Sequence, residues 1–257
     1  MTRWVWLALV LSLVGCKGRS SPAGVTAPGP GGGGQKVAPM LLGYGSVETW
    51  PVLNPTVAAA DLAKAGLTLT EIEWTIGQSS TTYPREAKAW VIAMRARGVT
   101  TLINIVNWNN AAARLQDDAW FQTQLSTVLA FGPGGLILQG VSEANGDATA
   151  LRWQQKVVTQ ASGWATGGNV SHRSAVGGET WPTYHSCSVA ALLGLLNPSR
   201  IVISDCTPVL ASNLSQADVQ DLTRNALDRR SPLLLYDTFQ VGWNSRVVGW
   251  MGDEVQR

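Results

Sequence analysis

From residue 39 onward the chain repeats one alternation: a short apolar run, then a longer segment whose apolar residues recur three and four apart. The runs are PMLLGYGS (39–46), LTEIEWT (69–75), TTLINIVNW (100–108), GLILQGVSE (135–143), HRSAVGGE (172–179), RIVIS (200–204), PLLLYDT (232–238) and VVGWMG (247–252). Between them lie segments such as NPTVAAADLAKAG, PREAKAWVIAMRARG, DDAWFQTQLSTVLAFG, TALRWQQKVVTQASGWA and SQADVQDLTRNALDRR. They have the period of an amphipathic helix, and several end in the glycine common at helix C-termini. Strands separated by helices pair in parallel, because the crossover returns the chain to the same end of the sheet. Eight such units predict an α/β chain folded as a closed (β/α)8 TIM-type barrel. FQVGWNSR, before the last run, is too short for a full helix and none follows that run, so helices are expected to be missing near the C-terminus. An open barrel and a doubly wound sheet are the alternatives.

A chain of 257 residues, 45% hydrophobic and 14% charged, has enough apolar surface for one large packed domain. Its formal charge is only +2 and no Lys/Arg cluster is visible, which excludes nucleic acid as a partner. At the start, MTRWVWLALVLSLVGC has Arg3 and then an apolar run, Trp4 to Val14, too short to span a bilayer, as in an export signal. Leu13-Val14-Gly15-Cys16 resembles the lipobox of bacterial lipoproteins, which implies cleavage before Cys16 and a diacylglyceryl group on its thiol. Loss of Arg3 would leave 18 basic against 17 acidic side chains, or +1, so lipid and not charge would make the anchor. KGRSSPAGVTAPGPGGGGQK behind it is too rich in Gly, Pro and Ser to bury a core. The expected organisation is a signal peptide (1–15), a lipidated tether (16–38) and a barrel (39–257), exported and anchored on the periplasmic or cell-surface face of a bacterial membrane. Export permits a Cys187–Cys206 disulfide, and two buried thiols remain the other option.

In such a barrel the chemistry sits where strands end and loops begin, at the C-terminal face. The expected strand ends carry Tyr44, Glu73, Asn107 with Trp108, Glu143, Asp205, Asp237 and Trp250. A carboxylate closing a buried strand, as Glu143 does, is costly to bury and well placed for chemistry. The two histidines, His172 and His185, come without a G-x-S-x-G elbow or an H-E-x-x-H pair. Glu71, Glu73, Asp205 and His172 show no metal-ligand spacing, so neither metal nor other cofactor is expected.

Ser142-Glu143-Ala144-Asn145 at the fourth run, Asp237 at the seventh and Trp250 on the eighth together resemble the clan of retaining glycoside hydrolases built on (β/α)8 barrels. There the fourth strand ends in Asn-Glu-Pro and the seventh in a second Glu; AVGGETW and IVISDCTP also fall where that clan has comparable segments. The resemblance implies Glu143 as acid and base, Asp237 as nucleophile, and a glycan as substrate. Retention requires the two carboxyl groups about 5 to 5.5 Å apart. Asp in place of Glu withdraws the carboxylate by about 1.5 Å, toward the inverting range that begins near about 6.5 Å. Tyr44, Glu73, Asn107, Trp108, Ser142, Asn145, Trp181 and Trp250 are the expected substrate contacts, since indole faces stack on sugar rings and polar groups fix hydroxyls. Trp50 and Trp243, with Asn109 and Asn110, fit the same description. The expected function is a membrane-anchored glycoside hydrolase-like protein. A carbohydrate-binding barrel without catalysis and a different barrel hydrolase are the alternatives.

Overall fold

The computed structural model describes residues 40–46, 50–143, 146–168, 176–237 and 243–257. The expected signal and tether with Cys16, together with Asn145 and His172, lie outside the described residues.

Eight strands close a barrel in chain order, every neighbouring pair parallel, with the last strand paired back onto the first. They are β1 (Leu42–Ser46), β2 (Leu69–Glu73), β3 (Thr100–Asn107), β4 (Leu136–Ser142), β5 (Ala165–Gly168), β6 (Trp181–His185), β7 (Ile201–Ser204) and β8 (Leu233–Asp237). Around them run α1 (Pro55–Lys64), α2 (Pro84–Arg95), α3 (Ala111–Arg114), α4 (Asp118–Leu129), α5 (Ala148–Gln160), α6 (Val189–Leu195), α7 (Gln216–Arg229) and α8 (Ser245–Val255). The expected (β/α)8 architecture is therefore present and closed. Helix starts follow the local chemistry: Asn54, Asp117, Asp147, Ser188 and Asn244 each accept a backbone N–H, and Ser215 with Asp218 forms a reciprocal capping box on α7.

Two of the expected strands are not strands. VVGWMG lies inside α8, where Val247, Val248, Met251 and Gly252 are buried at helical spacing, so the C-terminal helix is present. No strand occupies the described part of 172–179, and the real strands flank it. β5 is Ala165-Thr-Gly-Gly, small because its neighbours come close: a Cβ on Gly168 would lie 2.6 Å from Glu179 Oε1. α5 holds it through Gln154, whose Nε2 donates to Gly167 O while its Oε1 accepts from Gly140 N. β6 is polar and contains Pro182, which disguises a strand. RIVIS is consequently β7, and PLLLYDT is β8 rather than the seventh strand.

Inside the barrel, Leu41, Leu69, Leu102, Ile137, Ile201, Ile203 and Leu234 form an apolar floor, with Ala165, Trp181 and Tyr236 packed on it. The opposite faces of the strands pack on the helices, and Trp50, Trp74, Trp90 and Trp153 fill that outer layer.

β1 presses close on β2 at Gly43, where an added Cβ would lie 1.8 Å from Leu69 O. Gly43→Ala is expected to cost about 3 kcal/mol through backbone displacement. Gly249→Ala on α8, with open space around it, should gain up to about 1 kcal/mol from helix propensity. Urea unfolding of both variants checks the contrast.

Candidate functional site

Alternation along the strands decides which side chains reach the barrel's interior above the apolar floor. Glu71 and Glu73 of β2, Asn104 and Asn107 of β3 and Gln139 and Ser142 of β4 line a cavity of about 110 Å³. Asn109, Glu143, Ile203, Asp205 and Tyr236 complete its lining. Glu143 and Asp205 are the residues that immediately follow β4 and β7.

His185, the last residue of β6, joins those two carboxylates. Its Nε2 lies 3.1 Å from Glu143 Oε1 and its Nδ1 2.5 Å from Asp205 Oδ1, all three side chains being largely buried. Glu143 has a φ of 59°, the left-handed region that a residue with a Cβ enters only at a cost. Strain of this kind persists where surrounding structure over-determines a functional side chain. Cys187 and Cys206 form a disulfide two residues beyond His185 and one beyond Asp205, tying the exits of β6 and β7 together. The Cys206 sulfur lies near His185 and Asp205, but as a disulfide it is no thiolate ligand.

The cavity is acidic, and among the described residues no Lys or Arg lines it. Burial acts to lower the pKa of His185, but its hydrogen bond with Asp205 and the charges of Asp205 and Glu143 outweigh this and raise it above the ordinary value. Burial pushes the Glu71 carboxyl well above the usual range, and the charges of Glu73 and Asp205 push it further. Tyr236 is raised by burial and then by the surrounding carboxylates, and its hydroxyl donates to Asp205 O at 3.1 Å. Asn104 Nδ2 donates to Ser142 Oγ at 2.9 Å, and Asn107 Nδ2 donates to Glu73 Oε1 at 3.0 Å.

Of the residues expected from the sequence, Glu73, Asn107, Ser142 and Glu143 meet in this cavity. Asp237 does not join them. It alternates with inward-facing Tyr236 and so points out of the barrel, fully buried, accepting from Tyr44 Oη at 2.9 Å and Ser212 N at 2.6 Å. Tyr44 sits on the same outer side, edge-on to Trp243 at 5.1 Å. Trp108 is buried against Trp153 in the helical layer, Trp181 belongs to the barrel floor, and Trp250 lies on α8 under Arg246. Trp50 and Trp243 are tied inward through bonds to Glu73 O and Asp61. The expected aromatic rim is thus mostly packing, because an indole buries more area against helices than a loop can offer. Sequence reading missed His185 as a site residue, because WPTYH did not read as a strand; with that strand recognised, its terminal His stands out by position.

No protein-family model matches the sequence, and no curated protein matches it. Solved structures share the fold. A glycoside hydrolase of family 5 from Bacteroides vulgatus superposes with TM-score 0.57 at 10% identity, covering 77% of this chain, which spans 57% of that one. A Bacteroides ovatus xyloglucanase of the same family, bound to a heptasaccharide, gives 0.57 at 13% identity, over 86% of this chain and 76% of its own. A D-psicose 3-epimerase from Clostridium cellulolyticum gives 0.50 at 8% identity, over 84% and 97%. At these identities the likeness is one of architecture alone: a closed (β/α)8 barrel, a fold used for many chemistries.

The raised pKa of His185 has a definite sign in stability. The imidazolium is favoured in the fold, so its contribution is complete below the ordinary histidine value of about 6.5 and is lost as pH rises through the higher folded value. His185→Gln is expected to melt well below the parent at about pH 6, with the gap narrowing at alkaline pH. Thermal melts across pH check the trend.

Proposed function

We propose that the protein is a glycoside hydrolase whose working carboxylates are Glu143 and Asp205. The observation that carries this reading is the single imidazole joining the exits of β4 and β7. In the clan that the sequence resembles, the paired carboxylates end the fourth and seventh strands; with the strands counted as they fold, Asp205 and not Asp237 takes the second place. Glu143 protonates the glycosidic oxygen as the aglycone leaves. Asp205 serves the anomeric carbon, either bonding to it directly or deprotonating the water that attacks it, and water ends on the sugar in both cases. His185 orients both groups, while Asn104, Asn107 and Gln139 offer amides to sugar hydroxyls. Two solved neighbours carry xyloglucan oligosaccharides, which makes β-glucans the first substrates to try.

A second reading, a sugar-binding barrel without turnover, has its own support: the imidazole lies between the two carboxylates, where a reacting anomeric centre would need room. Reducing-sugar release over a β-glucan panel separates the two. Glu143→Gln and Asp205→Asn are each expected to lower turnover by roughly two to four powers of ten. Asp237→Asn should lower the melting temperature yet retain turnover per folded molecule. Binding of a glycan that the parent never cleaves would favour the second reading.

The reading includes export and anchoring through Cys16, supported by the Leu13-Val14-Gly15-Cys16 sequence and the Gly/Pro-rich segment after it. Two acyl chains are what stable anchoring requires. Mass spectrometry of the mature protein should find Cys16 at the N-terminus with a diacylglyceryl adduct; an unmodified N-terminus elsewhere refutes it.

A further inference from the structure

We propose that the Cys187–Cys206 disulfide is a positioning element of the site: it holds Asp205 against His185, and a dithiol that reduces it switches the site off. Its effect on turnover rests on the hydrolase reading; its effect on the contact between His185 and Asp205 does not. Among the described residues, strand pairing stops short of Asp205. The β6–β7 ladder ends where His185 pairs with Ile203, and the β7–β8 ladder ends where Ser204 pairs with Leu235. Beyond them Tyr236 Oη donates to Asp205 O, which fixes the backbone of Asp205 and not its carboxylate.

The disulfide supplies what the ladders do not. His185 and Asp205 are 20 residues apart along the chain. Through the bond, Ser186, Cys187 and Cys206 are all that separate them. The Cys206 sulfur, a His185 ring nitrogen and an Asp205 carboxylate oxygen lie within 4.8 Å of one another, so the crosslink sits beside the contact it restrains. A short covalent path in place of a long one raises the effective concentration of the imidazole at the carboxylate. The restraint matters because a buried ion pair gains little net free energy from its own charges once both have left water. Its geometry has to be imposed, and a displacement of about 1 Å is enough to cost a hundredfold in rate.

The bond is within reach of a reductant. Both cysteines are half-buried, whereas the side chains of His185, Asp205 and Glu143 are 9%, 12% and 17% exposed. In the exchange, one thiolate of a dithiol attacks a sulfur of the bond and its second thiolate resolves the mixed disulfide. Cys187 and Cys206 take up two electrons and two protons and become thiols, while the dithiol closes its own disulfide. A chain made in a reducing cytosol and then exported, as the Cys16 reading requires, therefore completes its site only in an oxidising compartment.

The titration of His185 tests the restraint without substrate. Glu143 and Asp205 face the imidazole directly, and Glu71, Glu73 and Tyr236 line the adjoining cavity. Loss of the Asp205 hydrogen bond and charge removes most of what opposes burial, so the midpoint falls. The other histidine is His172, and His172→Gln isolates the His185 signal for proton NMR. Reduction by dithiothreitol should bring the midpoint down from above the ordinary histidine value of about 6.5 toward it. On a cleaved glycan it should lower kcat roughly tenfold or more with KM within about threefold, and reoxidation should restore both readouts. Cys187→Ala combined with Cys206→Ala, confirmed as folded by circular dichroism, should match the reduced protein and ignore the dithiol. An unchanged midpoint or full turnover in reduced, folded protein overturns the proposal. So does loss of the fold both on reduction and in the paired variant, since the bond would then hold the barrel and not the site. A parent that cleaves no glycan defeats the hydrolase reading alone, and the His185 midpoint still decides the positioning.

Discussion

A strand in a closed parallel barrel has two faces and no free edge, and the rest of this structure follows from that constraint. Every inward residue shares a narrow interior with seven other strands, and every outward residue must fit under a helix. Tyr236 and Asp237 are adjacent in the chain and belong to different environments for this reason: Tyr236 borders the acidic cavity, while Asp237 closes a buried hydrogen-bonded group with Tyr44 and Ser212 outside the barrel. The same rule sets the apolar floor beneath a polar upper layer, since residues 69, 71 and 73 of β2 run from leucine to two glutamates on one face.

That upper layer concentrates carboxylates in a place that disfavours them. One imidazole bridges Glu143 and Asp205, and the disulfide just beyond ties together the loops that carry His185 and Asp205. The left-handed backbone at Glu143 adds strain at the same point. Polarity, covalent restraint and strain converging on a few residues distinguish this end of the barrel from its floor, and they are the pattern by which a site declares itself within a fold used for many chemistries.

Much of the barrel is legible in the sequence because hydrophobic period is a local property. Runs such as LINIVN and LILQGVS, each followed by a helix with an Asn or Asp cap, identify themselves without reference to distant residues. β5 and β6 do not, because Ala165-Thr-Gly-Gly and Trp181-Pro-Thr-Tyr-His owe their composition to what approaches them: Gln154 from α5, Glu179, and the neighbouring strand. VVGWMG failed in the opposite way, since a short apolar run reads equally as a buried strand or as one face of a helix.

The sequence by itself determined most of the strand–helix alternation, the parallel pairing that alternation implies and the prominence of Glu143, each of which depends on neighbours in the chain, while closure of the barrel belongs to the tertiary structure. Tertiary structure decided which carboxylate meets it. Asp205 and His185 come together with Glu143 because closure brings the exits of β4, β6 and β7 over one cavity. Whether a side chain at the end of a strand faces that cavity or the helices turns on one residue of register, and a shift of one residue exchanges the two faces.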